Sequence, residues 1–368
     1  MRNPDLKNLF TRFKVSGTWL DGTPAGSGLI HVTYLIHTAE AEEPDYILQK
    51  INNQVFPCVT EMMDNIQKVT DHIRSKKMSD GEQRFLEVIR THSDKTFFID
   101  SEGCYWRMFK KIEPGISYDV VTNENIAREA GRAFGQFIAD LKDFPVDALF
   151  PVLPDFHSIE LRYEQLRKAI QRNPLGRDKV SEDEINFAHA QIDRMLVVPR
   201  LQKEGALPVR VTHNDTKLNN ILFDEHEKAV SVIDLDTVMP GLTLYDFGDT
   251  IRSAANTAAE DEEYLENIQF SIPVFEAYTE GFLDTTVSFL TTSELENLAL
   301  SPQYMTFIMG VRFLTDYISG DVYYQTHYDD QNLRRCRAQF QLMKRMIEMH
   351  AQCQDMVLRI AAKRRGPT

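Results

Sequence analysis

The sequence predicts an α+β protein with two lobes, a small antiparallel β lobe followed by a large, mainly helical one. Up to about residue 109, short apolar runs alternate with turn-forming residues, which is typical of strands. Beyond residue 122, apolar residues recur at the spacing of helices buried on one face. Between helices, residues 209–236 form a polar stretch with two short apolar segments. We therefore expect lobes at residues 1–109 and 110–368.

The composition is that of an ordinary globular protein with an acidic balance. The 368 residues carry 41 basic and 55 acidic side chains, a net charge of -14, which disfavours unspecific binding to nucleic acid. The four cysteines show no paired spacing, which favours reduced thiols in a cytoplasmic protein. No apolar run has the length of a membrane span. We expect a cytoplasmic monomer without nucleic-acid or membrane partners.

A glycine-rich turn at residues 21–28, DGTPAGSG, lies between two predicted strands at residues 13–16 and 29–36. Such a turn lets backbone N–H groups approach a triphosphate without obstruction from side chains. Gly26 and Gly28 are therefore candidate nucleotide-binding residues. An ordinary hairpin turn is an equally good explanation of these glycines taken alone.

The third predicted strand, Tyr46–Ile51, carries Lys50. In kinases a lysine on the third strand holds the α- and β-phosphates of ATP and pairs with a glutamate of the following helix. Apolar periodicity predicts that helix over residues 59–73, where Glu61 is the best candidate partner and Asp64 its rival. The alternative without a function is that Lys50 is a solvated edge residue and that Glu61 or Asp64 is an unpaired surface acid.

Two more strands are predicted at residues 96–100 and 105–109, and Pro-Gly ends the segment 110–115 that follows them. We place the crossover between the lobes there, where extended backbone would meet the edge of an adenine ring.

Three helix starts in the second lobe have recognisable caps. Thr122 or Asn123 begins the first helix, and Ser158 begins the second. Ser181 and Glu184 have the spacing of a capping box for the third.

The polar stretch contains His-x-Asp-x-Lys-x-x-Asn, formed by His213, Asp215, Lys217 and Asn220. This is the spacing of a kinase catalytic loop. Asp215 would accept the proton of the attacking hydroxyl, and Lys217 would stabilise the transferred charge. Asn220 and the later Asp234 offer oxygen ligands of the kind that Mg²⁺ prefers. His213 is expected to support the loop structurally.

A hairpin is predicted after this loop, because the apolar segments 221–223 and 230–233 flank a turn-like 224–228. The hairpin makes a chance match of the motif improbable. Asp234 follows it directly, as a metal-binding residue should. Asp246 lies in a later Asp-Phe-Gly, but at the start of a helix, where it and Asp249 are expected to cap N–H groups or brace the catalytic loop.

These residues predict an ATP- and Mg²⁺-dependent kinase for a small hydroxyl compound. A protein substrate is disfavoured because the connection from Asp234 to the next helix is short and contains no activation segment.

The string HNDTKLNNILFD...VIDLDTVMPGLTLYDFGDTIR resembles the aminoglycoside phosphotransferase and choline kinase superfamily. Within it, this string and the segments ILQKINNQVFP and FLTDYISGDVYY are especially similar to the N-acetylhexosamine 1-kinases. The resemblance implies a protein-kinase-like fold and phosphorylation of the anomeric hydroxyl of N-acetylglucosamine or N-acetylgalactosamine. It also implies sugar contacts from Asp236, Arg312 and Tyr323.

Several alternatives stay open. Arg312 could instead pair with Asp316, one helical turn away. His31 stands where the resemblance leads us to expect asparagine, so its role is undefined. The substrate could be an amino alcohol, an aminoglycoside or another sugar, or the chain could be a catalytically silent nucleotide-binding protein. The preference between gluco and galacto epimers is also open.

Overall fold

The computed structural model describes residues 4–26, 30–77 and 85–366. An antiparallel sheet with the order β1-β2-β3-β6-β4 forms the first lobe, and β5 pairs with β6. Its strands are β1 (Trp19–Pro24), β2 (Val32–Thr38), β3 (Tyr46–Ile51), β4 (Val88–Ile89), β5 (Phe98–Ile99) and β6 (Tyr105–Lys110). Two helices accompany the sheet, α1 (Leu6–Phe10) and α2 (Val59–Lys77). The predicted α+β, two-lobe fold is confirmed.

The two faces of the sheet pack against different helices. Tyr46 and Leu48 of β3 share a buried cluster with Phe10 of α1, on what we call the outer face. Ile51 points the other way and shares a cluster with Met63 of α2, on the inner face. Because side chains alternate along a strand, one residue of register decides which face a side chain occupies.

The first strand differs from the prediction. Residues 13–16 form no strand, and Phe13 makes only an isolated bridge with Thr91. β1 instead overlaps the first half of the predicted glycine-rich turn, with Gly22 opposite Ile36 of β2. β1 lies at the edge of the sheet, where a strand can contain glycine and proline that a central strand would not tolerate. These residues give the strand the composition of a turn. β3 has the predicted bounds.

The second lobe consists mainly of helices. They are α3 (Glu124–Asp140), α4 (Ile159–Arg172), α5 (Glu182–Met195), α6 (Val197–Lys203), α7 (Thr243–Ala254), α8 (Ile272–Thr286), α9 (Thr292–Asn297), α10 (Ser301–Ser319), α11 (Gln331–Glu348) and α12 (His350–Arg365). α3 and α8 cross closely, since a Cβ at Gly131 or Gly281 would overlap backbone of the facing helix. In the described part of the chain, none of the helices combines the length and apolarity needed to cross a bilayer.

Two of the predicted caps are confirmed. The side chain of Asn123 accepts the N–H of Ile126 at 3.0 Å at the start of α3. The hydroxyl of Ser158 accepts the N–H of Leu161 at 3.2 Å at the start of α4. Each cap satisfies one of the N–H groups that a helix start leaves without an intrahelical partner.

The predicted capping box at α5 is wrong. Ser181 does precede the helix, but its hydroxyl donates to the carbonyl of Arg177 at 2.9 Å. Glu184 instead forms an ion pair with Arg337 of α11 at 2.9 Å. A long-range charge pair and the preceding turn thus take both side chains away from the helix terminus.

Two short strand pairs hold the polar stretch between α6 and α7. β7 (Arg210–Thr212) pairs with β10 (Met239–Gly241), and the predicted hairpin is present as β8 (Ile221–Phe223) and β9 (Ala229–Val232). The crossover enters the second lobe beside this hairpin, because Ile116 bridges to Phe223.

Candidate active site

The catalytic loop follows β7, and hydrogen bonds to Asp246 of α7 hold it in place. Asp246, in the first turn of α7, accepts the N–H groups of His213 and Asn214, both at 2.8 Å. The hydroxyl of Thr216 donates to the Asp246 carbonyl at 2.6 Å. Asp246 is fully buried, so it braces the loop and is not available as a ligand. This is the role that the sequence favoured for it.

His213 connects the loop to the segment that carries Asp234. Its Nε2 donates to the carbonyl of Ile233 at 2.9 Å, and its Nδ1 accepts the N–H of Asp215 at 3.3 Å. The ring is buried beside Phe134 and Phe137 of α3. Both ring nitrogens are therefore used to shape the loop.

Asp215, Lys217 and Asn220 converge at the open side of the loop. The Lys217 ammonium lies 2.9 Å from Oδ2 of Asp215. The Asn220 amide donates to the Asp215 carbonyl at 2.8 Å and lies 3.3 Å from Oδ2. Burial opposes the charged form of Lys217, but the carboxylates of Asp215 and Asp234 outweigh it and raise its pKa. The group thus presents one carboxylate with a cation fixed beside it.

Asp234 joins this group after the hairpin, because the Ile233 N–H donates to the carbonyl of Asn220 at 2.9 Å. Its backbone is left-handed, with φ 60°, and the residue is exposed to solvent. In the described part of the chain, its carboxylate has no hydrogen-bond or ion-pair partner. Loss of hydration among the surrounding protein atoms is the largest effect on its pKa. Together with the carboxylates of Asp236 and Asp215, it raises that pKa to about 6.

A divalent cation would relieve that repulsion, and the donor types fit Mg²⁺. Asn220 and Asp234 supply hard oxygen atoms, and Mg²⁺ usually takes few protein ligands together with substrate phosphates. Among residues 4–26, 30–77 and 85–366, no cluster of three His, Cys, Asp or Glu side chains forms an all-protein metal site.

Lys50 lies on the outer face of β3, with Leu48, and not on the face toward the second lobe. A hydrogen bond with Cys104, opposed by burial and aided by the charges of Asp100 and Glu102, raises its pKa. These partners belong to the turn between β5 and β6. The structure therefore places Lys50 away from the catalytic loop.

The expected lysine–glutamate ion pair does not form. Glu61 is exposed at the start of α2, and Asp64 pairs with Lys68 of the same helix at 2.7 Å. Since α2 packs on the inner face and Lys50 points to the outer face, the two sides of the sheet separate the predicted partners.

The inner face carries an arginine that sequence reasoning missed. Arg107 of β6 lies opposite Gln49 of β3, and its Nε donates to the Gln49 side chain at 2.9 Å. Its two terminal nitrogens bind both carboxylate oxygens of Asp236, with NH2 at 2.8 Å from Oδ2. His31 Nε2 binds the same Oδ2 atom.

Asp236 is buried and does not lie at a surface that a sugar could contact. Only 3% of its surface is exposed, and Arg107 and His31 occupy its two oxygens. These partners hold the pKa of Asp236 well below its usual range despite burial, the largest opposing effect. We therefore correct the expectation that Asp236 contacts the acceptor.

Arg312 of α10 lies in an arginine–aromatic cluster with Phe156, Tyr323 and Tyr324. Its guanidinium is 5.5 Å from the Phe156 ring, 5.8 Å from Tyr323 and 5.6 Å from Tyr324. In the described part of the chain, no carboxylate lies within ion-pair distance of it. The cluster thus presents a half-buried positive charge bordered by aromatic rings.

The alternative pairing of Arg312 with Asp316 is not formed. The Asp316 carboxylate accepts the N–H groups of Val322 and Tyr323, at 2.9 and 2.8 Å, and that of Tyr324 at 2.9 Å. It anchors the loop after α10 and thereby holds Tyr323, whose side chain is 71% exposed.

His157 lies between this cluster and the catalytic loop. Its Nε2 donates to the carbonyl of Asn214 at 3.1 Å, next to Asp215 in the chain. Burial, the largest effect, lowers its pKa to about 4; Arg312 also lowers it, while the nearby carboxylate of Asp215 acts in the opposite direction. The arginine–aromatic cluster and the Asp215 carboxylate therefore lie near the same buried ring.

The glycine-rich turn is described only in part. Gly26, two residues after the end of β1, has φ +79°, a conformation that favours glycine. Gly28 lies outside the described residues.

An open pocket of about 840 Å³ lies at the end of the sheet beside the crossover. It is lined by strand ends and by Ile112 and Glu113 of the crossover, and many of its side chains are acidic. None of its residues belongs to the catalytic loop or to the segment around Asp234.

With this geometry established, comparison with known proteins is informative. Residues 21–278 match the model of the phosphotransferase enzyme family, abbreviated APH. This chain belongs to that family. The match includes the catalytic loop, the hairpin and Asp234, so a small-molecule phosphotransferase is the coarse activity that the family supports.

Solved structures show the same fold at low identity. A microcompartment-associated aminopropanol kinase is 13% identical with a TM-score of 0.59, covering 95% of this chain and 97% of that one. An aminoglycoside phosphotransferase from Alicyclobacillus acidocaldarius is 11% identical with a TM-score of 0.61, covering 98% of each chain. A choline kinase from Cryptosporidium parvum is 12% identical with a TM-score of 0.53, covering 89% and 90%.

Proposed function

We propose that this phosphotransferase transfers the terminal phosphoryl group of ATP to the anomeric hydroxyl of an N-acetylhexosamine. The observation that carries the kinase assignment is the convergence of Asp215, Lys217, Asn220 and Asp234 at one open edge of the second lobe. Family membership and a neighbour whose structure contains ADP and spectinomycin support a nucleotide-dependent reaction.

The chain's own residues account for the chemistry without a strongly basic group. Asp215 would orient the acceptor hydroxyl and take its proton late in the transfer. An anomeric hydroxyl is more acidic than an ordinary alcohol, so a carboxylate suffices as the base. Lys217, fixed beside Asp215, would face the charge on the transferred group. Asn220 and Asp234 would hold Mg²⁺, which neutralises phosphate charge when bound.

The charge around the acceptor side favours a neutral substrate. Arg312 has no acidic partner in the described chain, and it lowers the pKa of the nearby, half-buried Arg162 after the larger effect of burial. Two of the nearby acids are already paired, because Asp249 binds Arg252 at 2.8 Å and Glu260 lies 3.7 Å from Arg335.

Structural neighbours named as aminopropanol, choline and ethanolamine kinases take amines, as those names state. A cationic amine would meet the Arg312 charge here. A neutral sugar could instead accept hydrogen bonds from the guanidinium and pack on the aromatic rings. This surface, together with the resemblance to N-acetylhexosamine 1-kinases, supports the sugar.

The acceptor is tested by incubating the protein with Mg·ATP and a panel of N-acetylglucosamine, N-acetylgalactosamine, glucose, choline, aminopropanol and kanamycin. We expect ATP consumption with an acetylated hexosamine, and phosphorus and proton NMR of the product should place the phosphate on the anomeric carbon. Turnover of an amine without turnover of any hexosamine would overturn the substrate. Tight Mg·ATP binding without turnover of any acceptor would favour a silent nucleotide-binding protein.

A further inference from the structure

A buried group of three side chains joins the two lobes at the point where the nucleotide would lie. Arg107 and Asp236 are 1% and 3% exposed, and they are 129 residues apart in the chain. His31, 205 residues from Asp236, binds the same carboxylate from the start of β2 and packs beside Phe56 of the inner-face cluster. We call His31, Arg107 and Asp236 the interlobe clamp.

The hydrogen bonds of His31 define its tautomer. Nδ1 accepts the N–H of Asn52 at 3.0 Å, so the ring proton lies on Nε2 and is donated to Asp236. His31 directly precedes β2, and Asn52 directly follows β3. The clamp therefore ties the start of β2 to the end of β3 and to the second lobe.

Arg107 is held in a fixed orientation by two partners. The side-chain oxygen of Gln49 accepts a hydrogen bond from Nε–H, and the Asp236 carboxylate accepts one from each terminal nitrogen, which uses the planar geometry of the guanidinium. The position of the Asp236 carboxylate is thus set by the sheet of the first lobe.

Asp236 lies two residues after Asp234, in a short 3-10 turn that begins directly after Asp234. Fixing Asp236 therefore limits where the left-handed backbone of Asp234 can place its carboxylate. Asp236 also adds to the negative charge that Asp234 experiences.

We propose that the interlobe clamp positions the Asp234 carboxylate relative to the sheet of the first lobe, in place of the strand lysine–helix glutamate pair that this structure does not form. The proposal rests on the proposed function, since it assigns Asp234 to nucleotide-bound Mg²⁺. Stability alone is a weak reason for a buried ion pair, because apolar side chains of similar volume often stabilise a fold as well. The clamp residues are accordingly positioning residues and not catalytic ones.

The test compares the affinity of a fluorescent ATP analogue with and without Mg²⁺, which requires no acceptor. For His31→Leu, we expect the gain in affinity on adding Mg²⁺ to fall about tenfold or more, with metal-free affinity unchanged. His31→Gln, whose amide can reach the position of Nε2, should restore much of that gain. Because a merely structural role would lower the melting temperature and leave the Mg²⁺ gain intact, melting temperatures are measured in parallel.

The matched control is His37→Leu, which removes another histidine–aspartate contact of the same sheet, with Asp45 at 2.7 Å. It should leave the Mg²⁺ gain unchanged. The double variant Arg107→Met with Asp236→Asn removes both charges, so no unpaired ion stays buried. It should fold and still lose the Mg²⁺ gain.

An unchanged Mg²⁺ gain in both His31→Leu and the folded double variant would overturn the clamp alone. If the unaltered protein bound no nucleotide with or without Mg²⁺, the proposed function and the clamp would fall together.

Discussion

The chemistry available to each aspartate of this site depends on whether its carboxylate already has a hydrogen-bond or ion-pair partner. Asp215 has a cation at 2.9 Å, and Asp234 faces solvent with two carboxylates behind it. Asp236 has both oxygens occupied. We therefore propose three different roles for these aspartates: proton acceptor for Asp215, metal ligand for Asp234 and internal anchor for Asp236.

Asp215→Asn should retain nucleotide binding and lose turnover by about 10²–10⁴-fold, because the amide cannot accept the hydroxyl proton. ATP consumption and binding of a fluorescent nucleotide measure the two effects separately. Asp64→Asn, an exposed aspartate of α2, serves as the control. Single-turnover phosphorylation by Asp215→Asn at the parent rate would show that Asp215 is not the base.

Arg312→Gln should raise the KM for the hexosamine about tenfold with little change in kcat, because it removes a charged hydrogen-bond donor from ground-state binding. Relative activity on choline should rise as the positive charge is lost. The control is Arg167→Gln, on the exposed side of α4. An unaltered KM would remove Arg312 from the acceptor site.

At the scale of elements, close backbone contacts and buried connections hold the helical lobe around the loop. Glycines at the crossing of α3 and α8 allow the backbones to meet, and His157 joins the catalytic loop to α10. Tyr304 of α10 donates its hydroxyl to the His157 carbonyl at 2.9 Å. Both features predict effects on stability.

Gly281→Ala should destabilise the protein by about 1–3 kcal/mol or more, because the added methyl group would overlap the carbonyl of Arg128 in α3. Gly103→Ala places a methyl group that meets no described atom within 4 Å, at φ +79°. It isolates the cost of backbone strain, about 1–2 kcal/mol. Denaturant unfolding should rank the first variant as the less stable, and the reverse order would contradict the close crossing.

His157 should make the fold weaken on mild acidification. Its pKa is about 4 in the folded protein against 6.5 in an unfolded chain, so the unfolded state binds more protons between these values. Stability attributable to His157 is complete above pH 6.5 and falls by up to roughly 3 kcal/mol as the pH drops toward 4.

Unfolding free energies of the parent and His157→Gln, measured from pH 7 to 4, check this dependence. The variant should lack the His157 part of the decline, whereas His226→Gln, at an exposed histidine, should not. Parallel curves for parent and His157→Gln would refute the neutral buried ring.

At the scale of the whole molecule, the two lobes meet through Asp236, and the nucleotide is expected between them. A ligand that binds only the folded state at about one hundred times its Kd adds about 2.7 kcal/mol of stability. Mg·ATP should therefore raise the melting temperature, and EDTA should reverse the Mg²⁺-dependent part.

Asp234→Asn should lose that Mg²⁺-dependent rise. Without ligands it should melt above the parent, because one of three crowded carboxylates is removed. Thermal melts of both proteins with and without Mg·ATP test this. A full Mg²⁺ effect in Asp234→Asn would place the metal elsewhere.

The sequence by itself determined what depends on neighbours in the chain. The bounds of β3, the caps Asn123 and Ser158, the hairpin after the catalytic loop and the two-lobe fold class were all predictable. Apolar periodicity and helix capping depend on residues close together in the chain, and the motif of the catalytic loop has a fixed spacing. One further signal was available: Arg107 is the single charge in the otherwise apolar run of residues 105–109, and such a charge needs a buried partner.

Only the tertiary structure decided which face of the sheet each side chain occupies and which distant residue it meets. Lys50 and Gln49 are adjacent, yet the alternation of the strand sends one outward and the other to Arg107. Asp236 finds His31 and Arg107 across 205 and 129 residues. Contacts at such separation depend on how the lobes pack, because no local propensity distinguishes a carboxylate that will bind a ligand from one that will bind an arginine.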